Sequence, residues 1–444
     1  MLIRQFEDNY LSHFSYAILH DGKAALIDPA RNPLPYYDFA KQHAAQIVAV
    51  IETHLHADFV SSHVEMARTT GAGIFIHPAA QPEFEFHPFD DHALPLKLGG
   101  ISLKAISTPG HSPDSICILL NDAHEEPVAV FSGDTLFIGD VGRPDLRETT
   151  FTRDATREKS ARQLYHSVHE KLLTLPDRVL VYPAHGAGSL CGKYIHPQNS
   201  TTIGAERLTN TSLQPMSEDA FVEILLTDLP PAPKYFPHSV TANRKKELMT
   251  FREAVESVSK YAVNKNSFTV IDSRLPEDFR KSHLPGSLNI PDDTKFETWV
   301  GTLISPEEEF VLAGYDNETL AQLSERIVNI GYESNFKGWL PLDGKMVKSE
   351  PLNVSDFASH PNQYIIIDVR NPAEVREGKI FEASIHLPLQ HLRERLNEIP
   401  SDRPVVTHCA GGTRGAIAAS ILESSGYRAY DLGAATKKFA SLTP

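Results

Sequence analysis

Cysteine is scarce in this chain: 444 residues carry three, Cys117, Cys191 and Cys409. An odd, sparse set forms no disulfide framework, so each thiol has to be judged alone, as a core atom or as a reagent. Long apolar runs are also missing. None approaches the roughly 18 residues a membrane helix needs, and Met1 to Asn9 carries Glu7 and Asp8 without the apolar centre of a signal peptide. No membrane association is expected, and the reducing cytoplasm is the expected compartment. Positive charge is in deficit, with 42 Lys and Arg against 57 Asp and Glu and a formal net charge of −15. Such a field repels a phosphate backbone or an anionic bilayer, which disfavours nucleic-acid binding but leaves room for a local site that takes a small anion.

What is present reads as a soluble globular chain, 41% hydrophobic and 22% charged. At roughly 150 residues per domain the length suggests about three domains. Short β-branched runs recur early, and each ends in a breaker followed by a metal-capable side chain. Ile47 to Glu52 runs into Thr53-His54, and others precede Thr108-Pro109-Gly110-His111, Gly133-Asp134 and Pro183-Ala184-His185. Four prolines between Leu229 and Pro237 predict a linker. Beyond it the chain repeats. Val270-Ile271-Asp272-Ser273-Arg274 matches the run through Ile367, Asp368, Val369 and Arg370, with the aspartates 96 residues apart, and Gly331-Tyr332 matches Gly426-Tyr427. A period of that length is a whole small α/β domain. The predicted units are residues 1–238, 239–350 and 351–444.

His54-Leu55-His56-Ala57-Asp58 sets two imidazoles and a carboxylate at alternate positions, which project to one side of an extended backbone. His111, Asp134 and His185 lie at other strand ends. A lone histidine at a turn is more often solvated than a ligand, but this whole set argues for metal. Over residues 1–238 the chain resembles the metallo-β-lactamase superfamily, through Asp28-Pro29, His54-x-His56-x-Asp58, Pro109-Gly110-His111, Gly133-Asp134 and Ala184-His185-Gly186. The resemblance implies an αββα sandwich with metal at the sheet edges. Position 59 departs from it. Dinuclear hydrolases of the superfamily carry a histidine there, and this chain has Phe59, which has no lone pair to offer a second metal. One metal on two histidines and a carboxylate suits non-haem Fe(II) and oxygen chemistry.

Gly139-Asp140-Val141-Gly142-Arg143-Pro144-Asp145 narrows the resemblance to the persulfide dioxygenases. It implies one Fe(II) per chain on His54, His111 and Asp134. His56, Asp58 and His185 would then orient ligands or substrate, unless one of them adds a further ligand.

The second constellation is His408-Cys409-Ala410-Gly411-Gly412-Thr413-Arg414, between the run Pro404–Thr407 and the helical stretch Gly415–Leu422. A cysteine there can sit in a curl of backbone N–H groups at a helix start, which favours an anion. Glycines let the loop curl, and Arg414 closes it with a charge. The loop and Asp368-x-Arg370 resemble the rhodanese sulfurtransferases, which implies a persulfide on Cys409; Gly433-Ala434 stands where a double glycine is common. The middle copy keeps Asp272-x-Arg274 and His283-Leu284-Pro285-Gly286 but has Ala313-Gly314-Tyr315 and no cysteine. It is expected to be a catalytically silent rhodanese-like domain.

Cys117, in the apolar run Ser115–Leu120, reads as core filling. Cys191 lies in a loop after His185 beside Lys193, which would bias it toward thiolate, and a role as a second sulfur-accepting thiol is open. As a whole the chain resembles three-domain persulfide dioxygenase–sulfurtransferase fusions. That implies a small-molecule thiol persulfide and O2 as substrates, sulfite as first product, and transfer of sulfur from Cys409 to sulfite to give thiosulfate, in sulfide detoxification. Coenzyme A, glutathione and bacillithiol are all open as carrier thiol, and so is assembly into a homo-oligomer. Two other readings stay open: a zinc thioester hydrolase of the glyoxalase II type, and a non-catalytic sulfur carrier or sensor.

Overall fold

The computed structural model describes residues 1–147, 157–261 and 268–440. The chain divides into two compact units. One is Met1–Ala254 with Asn329–Gly331; the other is Val255–Val328 with Tyr332–Pro444.

Two six-stranded sheets form the first unit among the described residues. In the first, β1 (Leu2–Asp8), β2 (His13–His20), β3 (Lys23–Ile27), β4 (Gln46–Ile51), β5 (Gly73–Ile76) and β6 (His87–Pro88) follow in spatial order, antiparallel to β3 and parallel beyond. The second has β7 (Leu96–Leu98), β8 (Ile101–Ser107), β9 (Ile116–Asn121), β10 (Pro127–Gly133), β11 (Leu180–Pro183) and β12 (Thr201–Thr202), also in sequence order. Side chains alternate across a strand, so Phe14, Tyr16, Ile18, Ala49 and Ile51 point inward against Leu103, Ile116, Ile118 and Phe131 of the second sheet. Each large apolar side chain removed from water there contributes about 1.5–3 kcal/mol. The outward faces of the same strands are apolar too, which is why helices cover them. Tyr36 and Phe39 of Leu34–Gln42 and Met66 of His63–Thr70 pack on Leu26 and Val50. Leu164 of Arg157–His166 and Phe221 of Glu218–Leu226 pack with Cys117, Val130 and Val181. The layering is the expected αββα. Cys117 is fully buried, and burial pushes its thiol up to about 11.

The proline run is irregular to Tyr235, and then Pro237 starts the helix Phe236–Arg244. A proline in a first turn loses no hydrogen bond that the helix would otherwise have made. That helix belongs to the first unit: the Asn243 side-chain amide donates to the carbonyls of His56 and Phe59 (2.9 and 2.8 Å) and accepts from Ser61 N–H (2.8 Å).

The second unit contains the repeat. β13 (Thr269–Asp272), β14 (Leu288–Asn289), β15 (Phe310–Ala313) and β16 (Phe336–Trp339) make a parallel sheet in the order β14-β13-β15-β16. β17 (Ile365–Asp368), β18 (Ile385–His386), β19 (Val405–His408) and β20 (Ala429–Asp431) repeat it as β18-β17-β19-β20. In register, Asp272 pairs with Ala313 and Asp368 with His408, so Gly314 holds the place of Cys409. Each aspartate is gripped by the arginine two residues on, Arg274 at 3.0 and 2.6 Å and Arg370 at 2.9 and 2.6 Å. The copies pack through Asn289 N–H to Ser420 Oγ (2.9 Å) and the fork of Arg393 on Glu308 (2.8 Å twice). Among the described residues no helix is long and apolar enough to cross a membrane.

Candidate metal centre and thiol loop

Four strand ends deliver the six predicted residues of the first unit to one place. Residues 54–58 follow β4, His111 follows β8, Asp134 follows β10 and His185 follows β11. All six are buried. Two glycines allow the approach. Gly110 has φ +150°, and a Cβ there would meet the Leu164 backbone at 2.5 Å; a Cβ on Gly142 would stand 1.9 Å from the Asp134 carbonyl oxygen.

His54, His111 and Asp134 form one cluster, with ligand atoms all within 4.8 Å of one another. Nε2 of His54 lies 3.7 Å and Nε2 of His111 3.5 Å from Oδ2 of Asp134. Both rings are fixed from behind. Thr53 Oγ donates to Asp28 Oδ2 (2.8 Å) and so accepts from His54 Nδ1 (3.0 Å). His111 Nδ1 donates to the Arg143 carbonyl (2.9 Å). Each ring therefore turns an unprotonated Nε2 toward Asp134. Burial, with His56 adding to it for His54, keeps both imidazoles below their usual pKa and neutral. Oδ2 of Asp134 is buried with no hydrogen-bond partner, although an orphaned carboxylate oxygen is costly. Two lone pairs and an orphan oxygen at this spacing fit one divalent cation with bonds of about 2.1 Å.

His185 is held differently. Its Nδ1 meets Asp134 Oδ1 and its Nε2 meets Asp58 Oδ2, each at 2.7 Å. Burial alone would lower its pKa, but the two carboxylates outweigh it and raise the group well above the usual range. His185, Asp58 and Cys191 also bring ligand atoms within 4.8 Å of one another, a second cluster of metal-capable donor types. Asp134, which burial would raise, is pulled well below the usual carboxylate range by His185, His111 and His54. The ring of Phe59, which has no lone pair, packs against His13 and His56 at 4.1 and 4.4 Å between centroids.

His56 turns to a third group, with Nε2 3.2 Å from Asp28 Oδ1 and 3.7 Å from Glu52 Oε2. Asp28 holds φ +50°, a strained backbone that its hydrogen bonds to Thr53 N–H and Oγ secure.

Cys191 is buried and clusters with Asp58 and His185. The expected bias from Lys193 is corrected by the structure: Lys193 Nζ donates to the carbonyls of Ile224 and Thr227, away from the sulfur. Burial, reinforced by Asp134 and Asp58, pushes the thiol well above its usual pKa, so it is a protonated SH.

Several residues around the site carried no motif signal. Asp114 accepts from Leu55 N–H (2.8 Å), Ser112 Oγ and Arg147 (3.4 Å), and Arg147 also donates to the Leu55 carbonyl. Together they brace the His54–Asp58 loop. Glu52, His63 and His13 surround it and are buried. Arg143 and Asp145, which the Gly139–Asp145 segment did mark, form a two-bond fork at 2.7 and 2.6 Å.

In the second unit Cys409 directly follows β19, 1% exposed, and accepts from Gly412 N–H at 3.0 Å. Gly412, at φ +103°, caps the helix Thr413–Ser424, so Ala410, Gly411, Gly412 and Thr413 form the expected curl at a helix start. Arg414 does not close the loop alone. Its guanidinium forks onto Glu374 at 2.6 and 2.7 Å. Burial holds His408 neutral, down to about 4.

The metallo-beta-lactamase superfamily model matches residues 9–185, and the rhodanese-like domain model matches twice, at 255–339 and 354–441. This chain is a metallo-beta-lactamase superfamily member fused to two rhodanese-like domains. Its metallo-beta-lactamase domain is similar to the mitochondrial persulfide dioxygenase ETHE1 of Homo sapiens, 29% identical over 249 residues, 55% of this chain and 88% of that protein. The uncharacterized protein ML0493 of Mycobacterium leprae is 32% identical over 216 residues, 43% of this chain and 88% of its own length. A crystal structure titled metallo-beta-lactamase, from Staphylococcus aureus subsp. aureus COL, superposes with a TM-score of 0.69 at 29% identity and covers 77% of this chain and 99% of that one. This likeness extends past the metallo-beta-lactamase domain into the rhodanese-like part.

Proposed function

We propose that the chain oxidises a small-molecule thiol persulfide with O2 and passes sulfur through Cys409. The observation that carries this reading is the convergent donor set His54, His111 and Asp134, beside which Phe59 stands where a second metal would need an imidazole. One Fe(II) held there would supply open coordination at which dioxygen and a sulfur anion can meet. The residues of the chain do the rest. Thr53 and the Arg143 carbonyl fix the two imidazoles, His185 fixes Asp134, and Asn243, Asp114 and Arg147 hold the loop that carries His54. Burial of the whole cluster excludes bulk water. The similarity to proteins named persulfide dioxygenase supports the substrate class.

One O2 and one water would convert the outer persulfide sulfur to sulfite and release the free thiol. At Cys409 the outer sulfur of the enzyme persulfide is then attacked by sulfite; its S–S bond breaks, the electron pair stays on the Cys409 sulfur, and thiosulfate leaves. In this reading Ala410, Gly411, Gly412 and Thr413 cradle the sulfur anion, Arg414 lies beside it, and the middle domain (residues 239–350) packs against the active one (residues 351–444) without chemistry of its own.

The test is metal content, O2 uptake and the sulfite-to-thiosulfate ratio with glutathione or coenzyme A persulfide, for the wild type and Cys409→Ser. Oxygen uptake should persist in the variant while the thiosulfate share falls. An unchanged thiosulfate yield refutes the coupling; two zinc ions per chain, or no O2 uptake by iron-loaded protein, refutes the dioxygenase assignment.

A further inference from the structure

We infer that Glu374 sets the donor specificity of the thiol loop: by neutralising Arg414 it favours monoanionic persulfides over the thiosulfate dianion as the source of sulfur for Cys409. This rests on the sulfurtransferase reading of the loop and goes beyond it.

Residues 409–414 carry one formal charge, on Arg414. Both of its terminal nitrogens are engaged by Glu374, Nη1 to Oε2 at 2.6 Å and Nη2 to Oε1 at 2.7 Å, a charge-assisted two-bond fork. The side chains are only 19% and 31% exposed, so water screens the pair incompletely. Glu374 is itself anchored, since its Oε2 accepts Asn371 N–H (3.0 Å) in a capping box that starts the helix Pro372–Glu377. It cannot swing away without giving up that cap. Two arginines further out are paired as well. Arg370 grips Asp368 behind His408, and Arg280, from the middle copy, lies 3.8 Å from Asp431 beside Gly415. His408 is neutral.

Within the loop itself, what remains to attract an anion is the backbone N–H curl and the start of an α-helix of 12 residues, together worth about half a positive charge. That offsets about half the charge of a persulfide, R–S–S⁻, and only about a quarter of that of a dianion, next to a fixed carboxylate. In both loading reactions the Cys409 thiolate attacks the outer sulfur of the donor. From a persulfide the S–S bond breaks and the electron pair leaves on a thiolate, which takes up a proton. From thiosulfate the same bond breaks and sulfite leaves with the pair, still carrying two negative charges past Glu374. The same field leaves thiosulfate formed at Cys409 weakly held. Glu374 is a specificity-determining residue that acts through Arg414, because its oxygens are committed to the guanidinium and the cap.

The experiment compares full-length wild type and Glu374→Gln, anaerobically, measuring the second-order rate of adding one sulfur atom to the Cys409 peptide from thiosulfate and from 2-hydroxyethyl persulfide, whose one charge is on its outer sulfur. Glutamine keeps an acceptor for the cap and removes the charge. Loading from thiosulfate should rise roughly ten-fold, the effect of one partly screened charge on a dianion, while loading from the persulfide changes less than about three-fold. An unchanged or slower thiosulfate rate, or equal changes with both donors, overturns the inference. A second readout needs no variant: at a neutral site the wild-type thiosulfate rate varies less than about two-fold between roughly 20 and 500 mM salt. A steep fall with salt reveals net positive charge and also overturns it. If neither donor loads Cys409 in the wild type, the sulfurtransferase reading itself fails, and the inference falls with it.

Discussion

Replacing Thr53 by valine removes one oxygen atom and leaves the side-chain shape intact. That hydroxyl donates to Asp28 Oδ2 at 2.8 Å and accepts from His54 Nδ1 at 3.0 Å, with all three residues 2% exposed or less. Losing the bond to the carboxylate costs about 1.5–3 kcal/mol, and leaving His54 N–H orphaned costs about 1–3 kcal/mol more. Together they predict about 2.5–6 kcal/mol of lost stability in the metal-free protein. The ring of His54 also loses the partner that sets its tautomer, so metal affinity should drop about 10–100-fold. Chelator competition with Fe(II) or Co(II) measures the affinity, and denaturant titration measures the stability. Thr53→Ser, which restores the hydroxyl, should recover most of both. Wild-type metal affinity in Thr53→Val would refute the claim that His54 is oriented through Thr53 and Asp28.

Gly142→Ala would bring a methyl group to 1.9 Å from the Asp134 carbonyl and 3.0 Å from the His111 Cβ. A metal-loaded yield close to wild type would contradict the tight approach of these two elements; the expected outcome is poor metal retention and a loss of about 1–3 kcal/mol in stability. Burial raises the Asp431 carboxyl from 3.8 to about 6, so the folded state holds that proton more tightly than the unfolded chain. The resulting stabilisation is complete below about pH 4 and is lost as pH rises toward 6. Asp431→Asn should therefore gain up to about 3 kcal/mol at pH 7.5 and almost nothing at pH 4, and equal gains at both values would show that the carboxyl is not desolvated. Arg370→Met leaves Asp368 buried without its fork and should destabilise the last domain by about 3–5 kcal/mol; a calorimetric unfolding profile unchanged from wild type would count against a structural role for Asp-x-Arg.

Much of the architecture was legible in the chain because its signals are local. Apolar runs of strand length ending in a breaker and a histidine fix both a strand and the place where it stops, which is why the strands leading to His54, His111, Asp134 and His185 could be read in advance. The 96-residue spacing of Asp272 and Asp368 exposed a duplicated unit for the same reason. Where reading along the chain stopped short, the deciding contacts were remote in sequence. The helix Phe236–Arg244 stands beyond the proline run, yet Asn243 binds carbonyls more than 180 positions earlier. The influence of Lys193 on Cys191 was inferred from adjacency, but the lysine's long stem carries its charge to Ile224 and Thr227.

By itself the sequence determined which donors exist. It offers histidines and aspartates at strand ends, a phenyl ring where a second metal would need an imidazole, and one cysteine ahead of a glycine-rich helix start. The type of a ligand is a property of a residue. Which state each donor occupies was decided only by the folded chain, because protonation and orientation depend on neighbours brought from elsewhere. Between Asp58 and Asp134 His185 is held by two carboxylates that raise its pKa, while burial keeps His54 and His111, backed by Thr53 and the Arg143 carbonyl, below the usual pKa of an imidazole. The charge of Arg414, fixed by its chemistry, is cancelled by a carboxylate 40 residues away, and nothing short of tertiary packing sets that distance.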